Sequence, residues 1–214
     1  FEVGLILIAR IQLDGNARLL QLFQLSLFKR VHISKDEIGM QIKRQGMPRA
    51  TIRTDDVIVL VQEKAGFVPN VFLALAHRPD EFRAFFAYHD ALMLKEGGLT
   101  KAEREMIVVA TSAMNDCLYC IIAHGAILRV YAKNAFIADQ IAADYRHADI
   151  TPRQKSMLAF ALKVARKAAD VVDEDFVELR AHGFSDEDIW DIGAIAAFFA
   201  LSNRMAGLIA MRPN

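Results

Sequence analysis

Beyond residue 60 no stretch of this chain alternates apolar with polar residues. Its apolar runs are long and return at intervals near 3.6, the spacing of a helix face. That pattern predicts an all-α fold, a multi-helical bundle. Hydrophobic residues make up 54% of the 214, which implies a large buried core, or a core plus an interface. The surplus, concentrated in the last helix, reads as an interface between copies of the chain.

Helix boundaries are written locally. Val57, Leu60 and Val61 share a helical spacing that stops at Gly66, and Phe67-Val68-Pro69-Asn70 reads as a turn. Val71, Phe72, Leu75 and Ala76 form the apolar face of the next helix. Pro79-Asp80-Glu81 opens another, with Phe82, Phe85, Phe86 and Leu92 directed inward and Gly97-Gly98 ending it. Thr100 with Glu103 makes a capping box ahead of the stripe Ala102, Met106, Val109 and Ala113. Asn115 and Asp116 interrupt that stripe and start a helix near Cys117. Thr151-Pro152 begins a helix that turns Met157, Leu158, Ala161, Leu162 and Ala165 inward. Asp173–Ala181 is a short helix closed by Gly183, and Ser185 with Asp188 opens the last long one. The openings at Thr100 and Ser185 resemble each other as two capping boxes rather than as an internal repeat.

These signals divide the chain into residues 1–54, an N-terminal extension, and 55–214, the helical domain. In the extension, Leu19, Leu20, Leu22, Phe23, Leu25 and Leu27 form a helix pattern ending near Lys29 and Arg30. Gly39, Gly46 and Pro48 mark a connection. Phe1–Ala9 is apolar but short, and no basic residues precede it, which makes a poor signal peptide; the cytoplasm is the expected compartment. No run approaches the roughly 18 apolar residues of a membrane span. Lys+Arg and Asp+Glu are 26 each, so electrostatics favour neither nucleic acid nor an anionic membrane.

The chain has two cysteines, at Cys117 and Cys120. A small disulfide scaffold would spread several along its length, so this pair reads as chemistry in a reducing compartment. With Cys117 in the first turn of a helix, Cys120 follows at i+3 and the sulfurs are neighbours. His124 falls on the same face, placed to exchange a proton with a thiol. The helix N-terminus favours thiolate, whereas the Asp116 carboxylate opposes it. Glu105, on the preceding helix, lies at the edge of the apolar stripe, where a carboxylate needs a partner; His124 suits it. Three blander readings compete. The cysteines could be two small core residues, Glu105 part of a structural ion pair, or the cysteines and His124 part of a zinc site. Zinc needs about four ligands, and His32, His77, His89, His147 and His182 show no paired spacing. Tyr119 either lines a pocket or packs, and His89 reads as core or interface. Asn203-Arg204, a polar pair inside an apolar helix, is expected to bond another helix, and Trp190 to pack.

Glu105, then Cys117-Leu118-Tyr119-Cys120, then His124 resembles the active-site signature of the alkylhydroperoxidases of the carboxymuconolactone decarboxylase superfamily. Gly66–Asn70, Leu99–Glu105 and Asn203-Arg204 are similar to its branch of uncharacterized peroxidase-related proteins, and the likeness spans roughly residues 55–213. The resemblance implies an all-α fold, homo-oligomers (trimers or hexamers) and an antioxidant role as a peroxidase acting on hydroperoxides. Cys120 would meet the peroxide and Cys117 would resolve the sulfenic acid. Glu105 and His124 would relay protons, and an external thiol or protein reductant would restore the dithiol. No haem or flavin motif is present, so no cofactor is expected. The family's peroxidases carry histidine where this chain has Tyr119, and tyrosine is a poor base at neutral pH. That departure motivates a second reading, a dithiol–disulfide oxidoreductase. A third is a redox-sensing helical oligomer. Decarboxylation and lactone chemistry fit less well, because the thiol signature is complete.

Overall fold

The computed structural model describes residue 62 and residues 66–214, so the readings on residues 1–54 and on Val57, Leu60 and Val61 lie outside the described residues. Every regular element described is helical: α1 Asn70–Leu75, α2 Pro79–Met93, α3 Lys101–Met114, α4 Leu118–Ala132, α5 Ile137–Asp144, α6 Pro152–Lys167, α7 Asp173–Ala181 and α8 Asp186–Leu208. A single 3-10 turn, Ala168–Asp170, follows α6. The all-α expectation holds. No helix among the described residues is long and apolar enough to cross a membrane.

The chain forms two compact units, one ending at Ala91 and including Asn214, the other Leu92–Pro213. In the first, α1 buries Phe72, Leu73, Ala74 and Leu75. Phe72 stacks on Phe86 at 4.4 Å between centroids and meets Phe82 edge-on at 5.5 Å. Asn214 donates to the Val68 carbonyl at 2.8 Å and accepts from the Asn70 amide at 3.0 Å, which fixes the start of α1. Phe82 is buried as expected, while Phe85 and Phe86 are only half-buried.

The second unit is organised around α3, which packs against α4, α5, α6 and α8. Every residue from Glu103 to Ser112 is buried, so α3 has no solvent face and the one-sided stripe expected from its pattern is corrected. Its start is held by the Thr100–Glu103 capping box, and equivalent boxes open α6 (Thr151–Gln154) and α8 (Ser185–Asp188). Gly183, at φ 83°, ends α7 in the left-handed region. Helix α5 has no side-chain cap and was not legible. Trp190, expected to pack, is 72% exposed.

Burying charge on α3 demands partners. Arg104, 1% exposed, donates to the Leu92 carbonyl at 2.7 Å and stands 3.4 Å from Asp191 of α8, which also pairs with Lys95 at 2.9 Å. Glu103 accepts from the Thr100 amide and hydroxyl and pairs with Arg153 of α6, whose guanidinium lies 3.8 Å over the Phe184 ring. Removing one member of such a buried pair strands the other. Asp191→Ala is therefore expected to destabilise the fold by about 3–5 kcal/mol, measured by urea unfolding. A loss below about 1 kcal/mol would show that the pair does not hold α3 to α8.

Candidate active site

The reversal between α3 and α4 is made by three residues. Asn115 caps α3, Asp116 takes φ 54°, and Cys117 is the N-cap of α4. The Cys117 amide donates to the Ser112 carbonyl at 2.9 Å and the Asp116 amide to Ala113 at 3.1 Å, so the corner is bonded to the end of α3. Cys117 thus precedes the first helical turn in which it was expected. Cys120 lies in that turn, and both thiols are buried and unbridged, their sulfurs 2.7 Å apart.

Because α4 runs back along α3, His124 returns to Glu105. The imidazole Nδ1 lies 2.8 Å from the Glu105 carboxylate. A carboxylate accepts only, so Nδ1 carries a proton and Nε2 is the nitrogen left for exchange. The Phe199 ring of α8 stands edge-on to the imidazole at 4.8 Å. Glu105 is buried, His124 half-buried. The structure therefore brings together Glu105, Cys117, Cys120 and His124, as the spacing suggested.

The two thiols titrate as a unit. Cys117 is lowered to about 6, chiefly because Cys120 hydrogen-bonds to its thiolate; burial opposes this, while the Cys120 amide, Asn203 and the His124 charge assist. Cys120 is pushed far up by the same contact, by burial and by the Cys117 charge. At neutral pH the pair carries one negative charge and retains one proton. Asp116, expected to oppose the thiolate, points to solvent and is not among the leading causes at either sulfur.

Asn203 is the site residue that sequence reasoning missed. It bonds another helix as expected, donating to Ser112 Oγ at 3.0 Å and accepting from Asn115 at 3.1 Å. Its side chain also acts on both cysteines and lowers both. The signal was a polar residue inside an apolar helix, but nothing local indicated that the sulfurs lay opposite. Its neighbour Arg204 points outward and donates to the Ala200 carbonyl at 2.6 Å. Tyr131, two turns beyond His124 on α4, also went unnoticed. Its hydroxyl is buried without a hydrogen-bond partner among the described residues, and burial, with the Glu105 charge, pushes it well above the ordinary phenol range. Tyr119 is buried and does not figure among the groups that shift the sulfurs. His89 is half-buried beside Asp90 at 2.9 Å, in the other unit. No group of three or more His, Cys, Asp or Glu among the described residues is placed to hold a metal ion.

Residues 79–135 match the model of the carboxymuconolactone decarboxylase family. A solved structure from Ralstonia eutropha JMP134, described as an alkylhydroperoxidase AhpD core and an uncharacterized peroxidase-related protein, is 70% identical; the match covers 74% of this chain and 84% of that one, at TM-score 0.72. An uncharacterized peroxidase-related protein from Silicibacter sp. TM1040 is 43% identical over 75% of this chain and 84% of its own, also at 0.72. The debrominase Bmp8 is 23% identical over 72% and 81%, at 0.62, a likeness of fold alone. No curated protein matches the chain.

Thiolate absorbance near 240 nm should titrate with a midpoint of about 6 for one thiol per chain. Cys120→Ala removes the largest stabilising contact and should move that midpoint upward toward the ordinary thiol range; Asn203→Ala should move it the same way by less. An unchanged midpoint in Cys120→Ala would refute the shared-proton account.

Proposed function

Because the chain belongs to the carboxymuconolactone decarboxylase family, in its alkylhydroperoxidase-like branch, we propose that it is a thiol-dependent peroxidase acting on organic hydroperoxides. The observation that carries this reading is the buried dithiol, 2.7 Å between sulfurs, beside a His124–Glu105 pair at 2.8 Å.

The retained proton lies between the two sulfurs. Its transfer from Cys120 to Cys117 makes Cys120 the attacking thiolate, the order that the resemblance implies. The Cys120 sulfur attacks the terminal peroxide oxygen, the O–O bond breaks, and the alkoxide leaves as alcohol with a proton delivered through His124. Glu105 holds the imidazole oriented through the 2.8 Å contact to Nδ1. Cys117 then attacks the sulfenic sulfur, an S–S bond forms, and hydroxide leaves as water with a further proton. The dithiol has supplied both electrons. An external thiol or protein dithiol reduces the disulfide, which places the protein in a reducing compartment such as the cytoplasm. The homo-oligomer implied by the resemblance, trimer or hexamer, remains part of this reading.

Tyr119 favours a second reading, a dithiol–disulfide oxidoreductase with little peroxidase activity, since it stands where the family's peroxidases have a histidine. Comparing peroxide consumption with disulfide exchange by the same reduced protein separates the two.

One equivalent of alkyl hydroperoxide should consume both free thiols and leave a Cys117–Cys120 disulfide, located by mass spectrometry. Cys120→Ser should abolish turnover, and Cys117→Ser should leave a sulfenic acid at Cys120 that a dimedone-type reagent traps. Trapping at Cys117 in Cys120→Ser, with none in Cys117→Ser, would reverse the order of attack. Turnover should rise with pH through about 6, as the pair loses its first proton, and then level off. Survival of both thiols would reject the peroxidase.

A further inference from the structure

A half-buried tyrosine ordinarily lays its ring against the protein and turns its hydroxyl to water. Tyr131 does the opposite. Its ring is half-buried, yet the hydroxyl is the buried end and has no hydrogen-bond partner among the described residues. Side chains on a helix lean toward its N-terminus, so this ring reaches back along α4 toward the level of His124. Across the contact, the Lys101 ammonium of α3 stands 5.9 Å from the ring centroid, one turn before Glu105. The Glu105 charge is accordingly felt at the Tyr131 hydroxyl. Glu105 is buried and uses Oε2 on the imidazole, and no described residue donates to its other oxygen. A buried donor and a buried acceptor therefore flank the same α3–α4 contact, each lacking a partner.

We infer that Tyr131 is a positioning residue for the His124–Glu105 pair: its hydroxyl donates, through one enclosed water, to Glu105 Oε1 and fixes the carboxylate that aims the imidazole at the dithiol. The two groups make no direct hydrogen bond, and a polar gap between buried groups is where a protein holds an internal water. A phenol suits the role because it donates without bringing a charge, and burial beside a carboxylate keeps its proton in place. Tyr131 touches neither sulfur nor peroxide and acts through Glu105. Its effect on turnover rests on the peroxidase reading; the contact itself does not.

Tyr131→Phe keeps the ring and its Lys101 contact and removes only the hydroxyl. Packing alone predicts an unchanged reaction and an unfolding midpoint that stays or rises, since an unpartnered buried hydroxyl is a cost. The positioning role predicts otherwise. With reduced protein and one equivalent of alkyl hydroperoxide, thiol loss should slow about tenfold in Tyr131→Phe while the Cys117–Cys120 disulfide still forms. The His124 Nδ1–H resonance of protein carrying 15N-labelled histidine, assigned with His124→Gln, should shift and exchange faster with water. In a Glu105→Gln background, Tyr131→Phe should slow thiol loss no further, because the hydroxyl acts through that carboxylate. An unmoved His124 resonance in Tyr131→Phe overturns the inference, as does an unchanged rate or a further slowing in the Glu105→Gln background. If the parent protein keeps both thiols, it is the peroxidase reading that fails, and the His124 resonance alone decides the contact.

Discussion

Three consecutive charged side chains, Glu103, Arg104 and Glu105, lie in a helix that has no face toward water. Successive residues on a helix point about 100° apart, so the three leave α3 in different directions. Each reaches a different element: Glu103 an arginine of α6, Arg104 an aspartate of α8, Glu105 a histidine of α4. Burying an unpaired charge costs several kcal/mol, so the helices around α3 must stand where those partners can be met. Apolar packing holds the unit together without directional preference, and the three charges supply the direction. The third of them belongs to the candidate site as well, so the pairing that orients α4 also orients the imidazole beside the dithiol.

This dual role explains which parts of the molecule were legible. Capping boxes at Thr100 and Ser185 are local, complete within four residues, and appear where their residues predicted; the helix start at Thr151-Pro152 also appears, with a Thr151–Gln154 box that was not expected. The Glu105, Cys117, Cys120 and His124 constellation was legible because a tight corner between two adjacent helices turns fixed spacing into proximity. Burial of α3 was not. Glu103, Arg104, Thr111 and Ser112 register as polar positions in a periodicity argument, which does not see the partners that let them be buried. Helix α5 is short and uncapped, and so left no boundary signal. Asn203 was recognised as needing a partner, but the sulfurs lie some 80 residues away and only tertiary structure supplies them.

The dithiol gains its chemistry from a division of labour across one short contact. Burial alone would raise both thiols, since it penalises a charge. Placing them 2.7 Å apart lets one sulfur serve as hydrogen-bond donor to the other, so one thiol drops to about 6 while its neighbour is driven up. The first proton is easy to remove because the second is hard to remove. Asn203, which donates to Ser112 of α3 at 3.0 Å, lowers Cys117 from α8, which ties the thiolate's stability to the packing of those helices.

Helix α8 is therefore constrained on both sides. Its inner face presents Phe199 to the imidazole and Asn203 to the sulfurs, contacts that tolerate little rotation about the helix axis. A rigid helix cannot adjust its outer face independently, so its exposed apolar residues, Trp190, Leu201 and Leu208, inherit a fixed orientation from the site behind them. An apolar surface held in a fixed orientation loses little further conformational freedom when a partner covers it. The polar pair at 203–204 marks the division within two adjacent residues, with the amide turned toward the chemistry and the guanidinium toward solvent.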